Sequence, residues 1–185
     1  MSAGIPKRVT GTNLDLRLVS PEDAGYIYSL RTDPTYNAHL SKVAGTAEDQ
    51  RLWIETYQRR EAEGREAYYV IERRRDGKRC GVVRLYNITS DRFTWGSWIL
   101  DANKPPKAAL ECAILVYDVG FSHLGRAFAD IDVRKTNAKS LSVYRRFGAI
   151  ETSEDEINIF FVYSRDRFIR DRPRHMQVLT GHGEA

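Results

Sequence analysis

The apolar positions along the chain change period several times, and each change marks an element. From Leu14 to Val19 apolar residues alternate with Asp15 and Arg17, which is the period of a strand. Ser20, Pro21 and Glu22 then start a helix that runs through Tyr26, Ile27 and Leu30 to about Arg31, where Asp33 and Pro34 break it. A second helix is expected from Thr46 to Glu63, with Trp53, Ile54 and Tyr57 on its inner side and Gly64 stopping it. Three strands follow, at 66–74, 79–88 and 93–100, and the turn residues Asp76 and Gly77 make the first two a hairpin in an antiparallel meander. Gly96 interrupts the third and predicts a bulge or a close backbone approach. Simple alternation puts Trp95 and Trp98 on opposite faces, with Trp98 favoured for a pocket wall.

From Lys107 to Leu124 the residues Leu110, Ala113, Ile114, Tyr117, Phe121 and Leu124 recur at helical spacing. A strand then carries Ala129, Ile131 and Val133 on one face and Asp130 and Asp132 on the other, and it delivers Asn137 to the start of a helix that ends at Gly148. Two strands close the pattern, at 149–153 and 157–164. The stretch 165–174 is basic but interleaved with Asp166 and Asp171, so it reads as a solvated terminal helix, with little order from Gln177 onward. These elements predict a mixed α+β domain over 14–170, preceded by a loose leader at 1–13 and followed by a disordered tail at 171–185.

Composition narrows the classes. A chain of 185 residues, 42% hydrophobic and 29% charged, can bury a core without staples. The net charge of +4 suits an anionic ligand but is too small to mark a nucleic-acid binder. Cys80 and Cys112 lack the spacing of a metal site, and His39, His123, His175 and His182 show none either, so no metal is expected. Both thiols read as buried groups of a reducing compartment. No apolar run is long enough for a signal peptide or a membrane span, so the expected location is cytoplasmic, with no membrane partner.

The candidate chemistry lies on the helix after Asn137. At about 3.6 residues per turn, Asn137, Ser140, Leu141, Tyr144 and Gly148 fall close to one line, which presents an amide, a hydroxyl and a phenol beside the strand. Ligands favour such strand-to-helix junctions.

In element order and in the segment 133–149 (VRKTNAKSLSVYRRFGA) the chain resembles the GNAT N-acetyltransferase superfamily, from Leu14 to about Tyr163. It is most similar to the branch holding ribosomal-protein alanine acetyltransferases and nucleotide-sugar N-acetyltransferases. The resemblance implies a twisted, mostly antiparallel sheet of about seven strands with a splayed central pair, flanked by about four helices. It implies acetyl-CoA as co-substrate, with Asn137 and Ser140 at the cofactor arm and Tyr144 protonating the departing thiolate. The strand ending in Trp98, Ile99 and Leu100 would pair with the pantetheine amides, and the next helix would aim its start at the pyrophosphate. There the chain departs from the family pattern. Pro105 and Pro106 stand where amide donors are usual, leaving Ala108 and Ala109 as donors and Lys107 as a point charge.

For an amine acceptor, Arg31, Arg84 and Tyr86 are the expected substrate contacts; Arg84 has a duller alternative in pairing with Asp15 or Glu72. Asp101, Glu111 or a carboxylate-relayed water remain open as the base. The acceptor stays open among an amino sugar on a nucleotide, a protein N-terminus and a small amine. A homodimer through an exposed C-terminal strand, a non-catalytic module that has lost cofactor binding and, least favoured, nucleic-acid binding by the basic tail are the further expectations.

Overall fold

The seven strands read from the sequence, joined by one that was not, hydrogen-bond into one sheet of eight. In the computed structural model, which describes residues 4–181, they are β1 (Arg8–Thr10), β2 (Leu14–Leu18), β3 (Ala67–Arg73), β4 (Lys78–Tyr86), β5 (Arg92–Leu100), β6 (Phe128–Arg134), β7 (Ile150–Glu154) and β8 (Asn158–Ser164). Their order is β1-β2-β3-β4-β5-β6-β8-β7, antiparallel except for β5 beside β6. The helices are α1 (Ala24–Thr32), α2 (Pro34–Asn37), α3 (Ala47–Ala62), α4 (Ala108–Tyr117), α5 (Ala138–Phe147) and α6 (Arg165–Thr180).

The helices cover both faces of the sheet. Ile27 and Leu30 of α1 and Ile54 and Tyr57 of α3 pack with Tyr68, Val70, Val82 and Ile99 on one side. On the other, Cys112 and Val116 of α4, Leu141 and Phe147 of α5 and Phe168 of α6 pack with Tyr69, Val83, Phe93 and Ile131.

The parallel pair is short. β5 and β6 pair only through Arg92 with Phe128, Phe93 with Ala129 and Thr94 with Asp130, and beyond that point they diverge. On its other edge β5 bulges against β4: Val82 faces Ile99 and Arg84 faces Gly96, so Ser97 and Trp98 together oppose Val83. Ser97 takes a left-handed φ of 46° at the bulge.

Four expectations are corrected. The leader is not loose from Arg8 onward: Val9 is buried, and Arg8 reaches Asp15 at 2.9 Å and Glu72 at 3.1 Å, which ties β1 to the sheet and raises the strand number to eight. The chain end is helical through Thr180 because Phe168, Met176 and Leu179 face the core and Arg172 pairs with Asp118 at 2.8 Å; Gly181 then closes α6 in a left-handed conformation. The helix expected to Leu124 gives way after Tyr117 to a π-helical turn at Asp118–His123, where Gly120 lies so close to the Phe93 ring that a Cβ would sit 2.1 Å from it. Trp95 and Trp98 lie on the same face, ring centroids 5.2 Å apart, because the extra residue of the bulge reverses the alternation between them.

Candidate active site

The divergence of β5 and β6 opens a cavity of about 380 Å³. Gly96, Ser97 and Trp98 of β5 line one wall, and Asp132, Val133 and Arg134 of β6 line the facing one. Asn137, Ser140 and Tyr144 enter from α5, Tyr86 from β4, His39, Leu40 and Ser41 from the loop after α2, and Ile157 and Asn158 from the far strand pair.

Local chemistry explains why α5 starts and stops where it does. The Asn137 carboxamide accepts from the Ser140 amide at 3.2 Å, and Gly148 ends the helix in the left-handed region at φ 81°. Tyr144, two turns on, stacks edge-on against Trp95 at 5.3 Å. Its hydroxyl has no hydrogen-bond partner among the described residues. Burial holds the phenol well above the ordinary tyrosine range, and the neighbouring Tyr86 adds to the shift, so it is a protonated donor at neutral pH. Burial likewise pushes Tyr86 up to about 12, with the Asp132 charge adding to the rise and Arg84 opposing it.

The residues expected at the site divide into two groups. Trp98, Asn137, Ser140, Tyr144 and Tyr86 come together on the cavity wall. Ile99, Leu100, Lys107, Ala108, Ala109, Arg31 and Arg84 do not line it. Ile99 packs on the opposite face of the sheet, and Leu100 packs beside the larger core. Lys107 caps α4 in a left-handed conformation, φ 60°, and its ammonium donates to the Val178 carbonyl at 2.5 Å, which commits that charge to the end of α6. Arg84 pairs with Glu66 at 2.8 Å, not with Asp15 or Glu72. Those two acids are engaged by Arg8, Arg17 and Arg74.

Neither expected base faces the cavity. Asp101 accepts from the Tyr26 hydroxyl at 2.8 Å and from the Asn103 amide at 2.7 Å. Glu111 accepts from the Asn13 and Leu14 amides at 2.7 and 3.0 Å and so joins α4 to the β1–β2 turn. The acid on the cavity wall is Asp132, an exposed residue of β6, and His39 also lines the cavity, with Nδ1 3.3 Å from the Thr136 hydroxyl. The sequence signal for Asp132 was its place on the polar side of the strand that delivers Asn137. For His39 it was a lone position in a loop.

The residues fit the arm of coenzyme A better than its diphosphate. Beyond Thr94, β5 has no strand on its β6 side, and the cavity lies along that edge, lined by Gly96, Ser97 and Trp98. At the α4 start the amides of Ala109 and Leu110 have no intrahelical acceptor, whereas Ala108 donates to Pro105 at 3.3 Å. Among the described residues no cluster of His, Cys, Asp or Glu suits a metal, and no helix is long and apolar enough to cross a membrane.

Comparison with known proteins agrees with this geometry. The acetyltransferase (GNAT) domain family matches residues 13–150. Among solved structures, apo FdhC, a nucleotide-linked sugar GNAT, is 36% identical, with a TM-score of 0.85 over 92% of this chain and 97% of its own. RimJ of Mycobacterium smegmatis, in complex with CoA-disulfide, is 17% identical, with a TM-score of 0.76 over 93% of this chain and 98% of that one. Spermidine N-acetyltransferase of Vibrio cholerae, bound to CoA and spermine, is 16% identical, with a TM-score of 0.74 over 86% and 99%. The last two likenesses speak for the fold alone. No curated protein matches the chain in sequence.

Proposed function

Because the chain belongs to the GNAT acetyltransferase family, we propose that it moves an acetyl group from acetyl-CoA to a primary amine carried by a nucleotide-linked sugar. The observation that carries the transfer reading is the parting of β5 from β6 after Thr94 and Asp130, with Tyr144 on the wall of the opened cavity. The likeness to FdhC, at 36% identity over 92% of this chain, supports the choice of acceptor over a polyamine or a protein N-terminus.

Bound acetyl-CoA supplies an activated acyl group. The protein supplies orientation and protons. Free amides on β5 hold the cofactor arm, and the bulge at Ser97 turns backbone groups toward the thioester, where donors stabilise developing negative charge. Asp132 takes the proton of the attacking amine, directly or through one water. Tyr144 gives its proton to the departing sulfur. A positioned acid of this kind contributes about 100-fold to 10,000-fold in rate.

The test is thiol release from acetyl-CoA with three acceptors: a nucleotide-linked amino sugar, spermidine and a short peptide with a free N-terminus. Fastest release with the sugar nucleotide is expected, and equal or faster release with either of the others overturns the acceptor assignment. A second reading, a non-catalytic module, draws on Pro105, Pro106 and the commitment of Lys107 to Val178. It requires that millimolar coenzyme A leave the melting temperature unchanged, since a ligand of the native state must raise it.

A further inference from the structure

On the α1–α3 face, next to the cavity, three buried polar atoms from neighbouring side chains have no partner. The Tyr68 hydroxyl is fully buried, as are the Nε atoms of Arg31 and Arg84, and none of the three has a hydrogen-bond partner. Buried polar groups in folded proteins are nearly always paired, so three orphans in one neighbourhood call for an explanation.

The elements bring them together for definite reasons. Tyr68 and Arg84 are direct cross-strand partners of β3 and β4 and therefore share a face. The Arg84 guanidinium lies over the rings of Trp53, at 5.1 Å, and Tyr86, at 5.2 Å, and Trp53 meets Tyr68 edge-on at 5.9 Å. Arg31 comes from the end of α1, and its charge, like that of Arg84, acts on the Tyr68 phenol.

Positive charge exceeds negative here. Glu66 is shared between Arg84 at 2.8 Å and Arg60 at 3.1 Å, and Arg31 has no carboxylate partner among the described residues. Glu61, on the same helix as Arg60, accepts from the Tyr57 hydroxyl instead. Both arginines adjoin the cavity: Arg31 donates to the Ser41 hydroxyl at 3.1 Å and Arg84 covers Tyr86, and Ser41 and Tyr86 line its wall. Three N–H or O–H groups, two of them on guanidiniums, thus stand next to cavity-wall residues without an acceptor of their own.

We infer that Arg31, Arg84 and Tyr68 form a subsite for the diphosphate of the acceptor, with the guanidiniums taking its oxygens and the Tyr68 hydroxyl donating beside them. This rests on the acceptor class proposed above and names the residues that select it. Guanidinium suits the group because its planar fork matches phosphate oxygens, and desolvated charge-assisted hydrogen bonds are the strong ones. Arg31 is fastened only to Ser41, so it is free to turn onto a ligand without breaking an ion pair.

The test has two arms. In the first, UDP and inorganic pyrophosphate are titrated into the protein saturated with coenzyme A, so that the cofactor's own diphosphate site is filled. Binding to the wild type is expected, with Kd raised about tenfold in Arg31→Gln and about threefold in Tyr68→Phe, on the scale of one charge-assisted and one neutral hydrogen bond. Arg84→Gln also frees Glu66, so Arg31→Gln, whose side chain has no ion pair, decides the matter, with melting curves as the folding control. In the second arm, the ratio of kcat/KM for a diphosphate-linked amino sugar to that for the free amino sugar is compared. The ratio should fall about tenfold in Arg31→Gln.

Absence of UDP binding, or equal Kd in wild type and Arg31→Gln, overturns the subsite. So does an unchanged acceptor ratio, even where acetylation itself is observed. If UDP binds and Arg31→Gln weakens it while no amino sugar is acetylated, the subsite stands and the acceptor proposal falls.

Discussion

The helices that follow the two splayed strands begin differently. α5, after β6, starts with the Asn137 carboxamide accepting from the Ser140 amide at 3.2 Å. α4, after β5, starts with no side-chain cap, behind two prolines and a left-handed Lys107 at φ 60°. At the start of α5 a side chain has satisfied an amide, and the helix is fixed so that Tyr144 reaches the cavity. At the start of α4 the first-turn amides remain open, which is the arrangement that receives an anion. The only acid in that first turn, Glu111, is turned away to the Asn13 and Leu14 amides. On the proposed reading, the open amides would serve a bound anion more than the lysine, because the lysine is spent on α6.

That contrast makes predictions of decreasing size. Tyr144→Phe should lower kcat about 100-fold or more while the KM for acetyl-CoA stays within about threefold. Its raised pKa keeps the phenol protonated, so the wild-type rate should show no alkaline loss from this group below about pH 10. A loss below that pH that the Phe variant lacks would mean that the Tyr144 phenol titrates in the ordinary range and is not held protonated by burial. Glu111→Ala should leave the buried Leu14 amide and the part-buried Asn13 amide without an acceptor and cost about 3 kcal/mol in urea unfolding, separating the α4 start from the β1–β2 turn. Asn137→Ala should cost about 1 kcal/mol by the same measurement, with Asn137→Asp restoring most of it; equal stability of all three would mean that α5 needs no cap. Lys107→Ala should weaken coenzyme A by less than about threefold in calorimetry, the size of an exposed charge, and should speed amide exchange near Val178. A much larger loss of affinity would place the ammonium on the cofactor.

The legible part of the fold was the part with local causes. The period of two in β2 and β6, the helix start at Thr46, the cap Asn137 and the stop at Gly148 each act within a few residues, and all are in place. β1 was missed because three residues around a single Val9 carry no period, and its stability comes from Arg8 reaching Glu72 on a distant strand. The end of α6 was missed for a similar reason: Leu179 is buried only because α4 and β1 lie beneath it.

At the site, the amino-acid sequence alone determined the line of Asn137, Ser140 and Tyr144, since helical periodicity places residues three and four apart on one face whatever surrounds them. Tertiary structure alone decided that Trp98 shares a face with Trp95, that Arg84 meets Glu66 and that Asp132 is the acid on the cavity wall. Each of these depends on what lies across a strand or a sheet, and one added residue in a bulge is enough to change it.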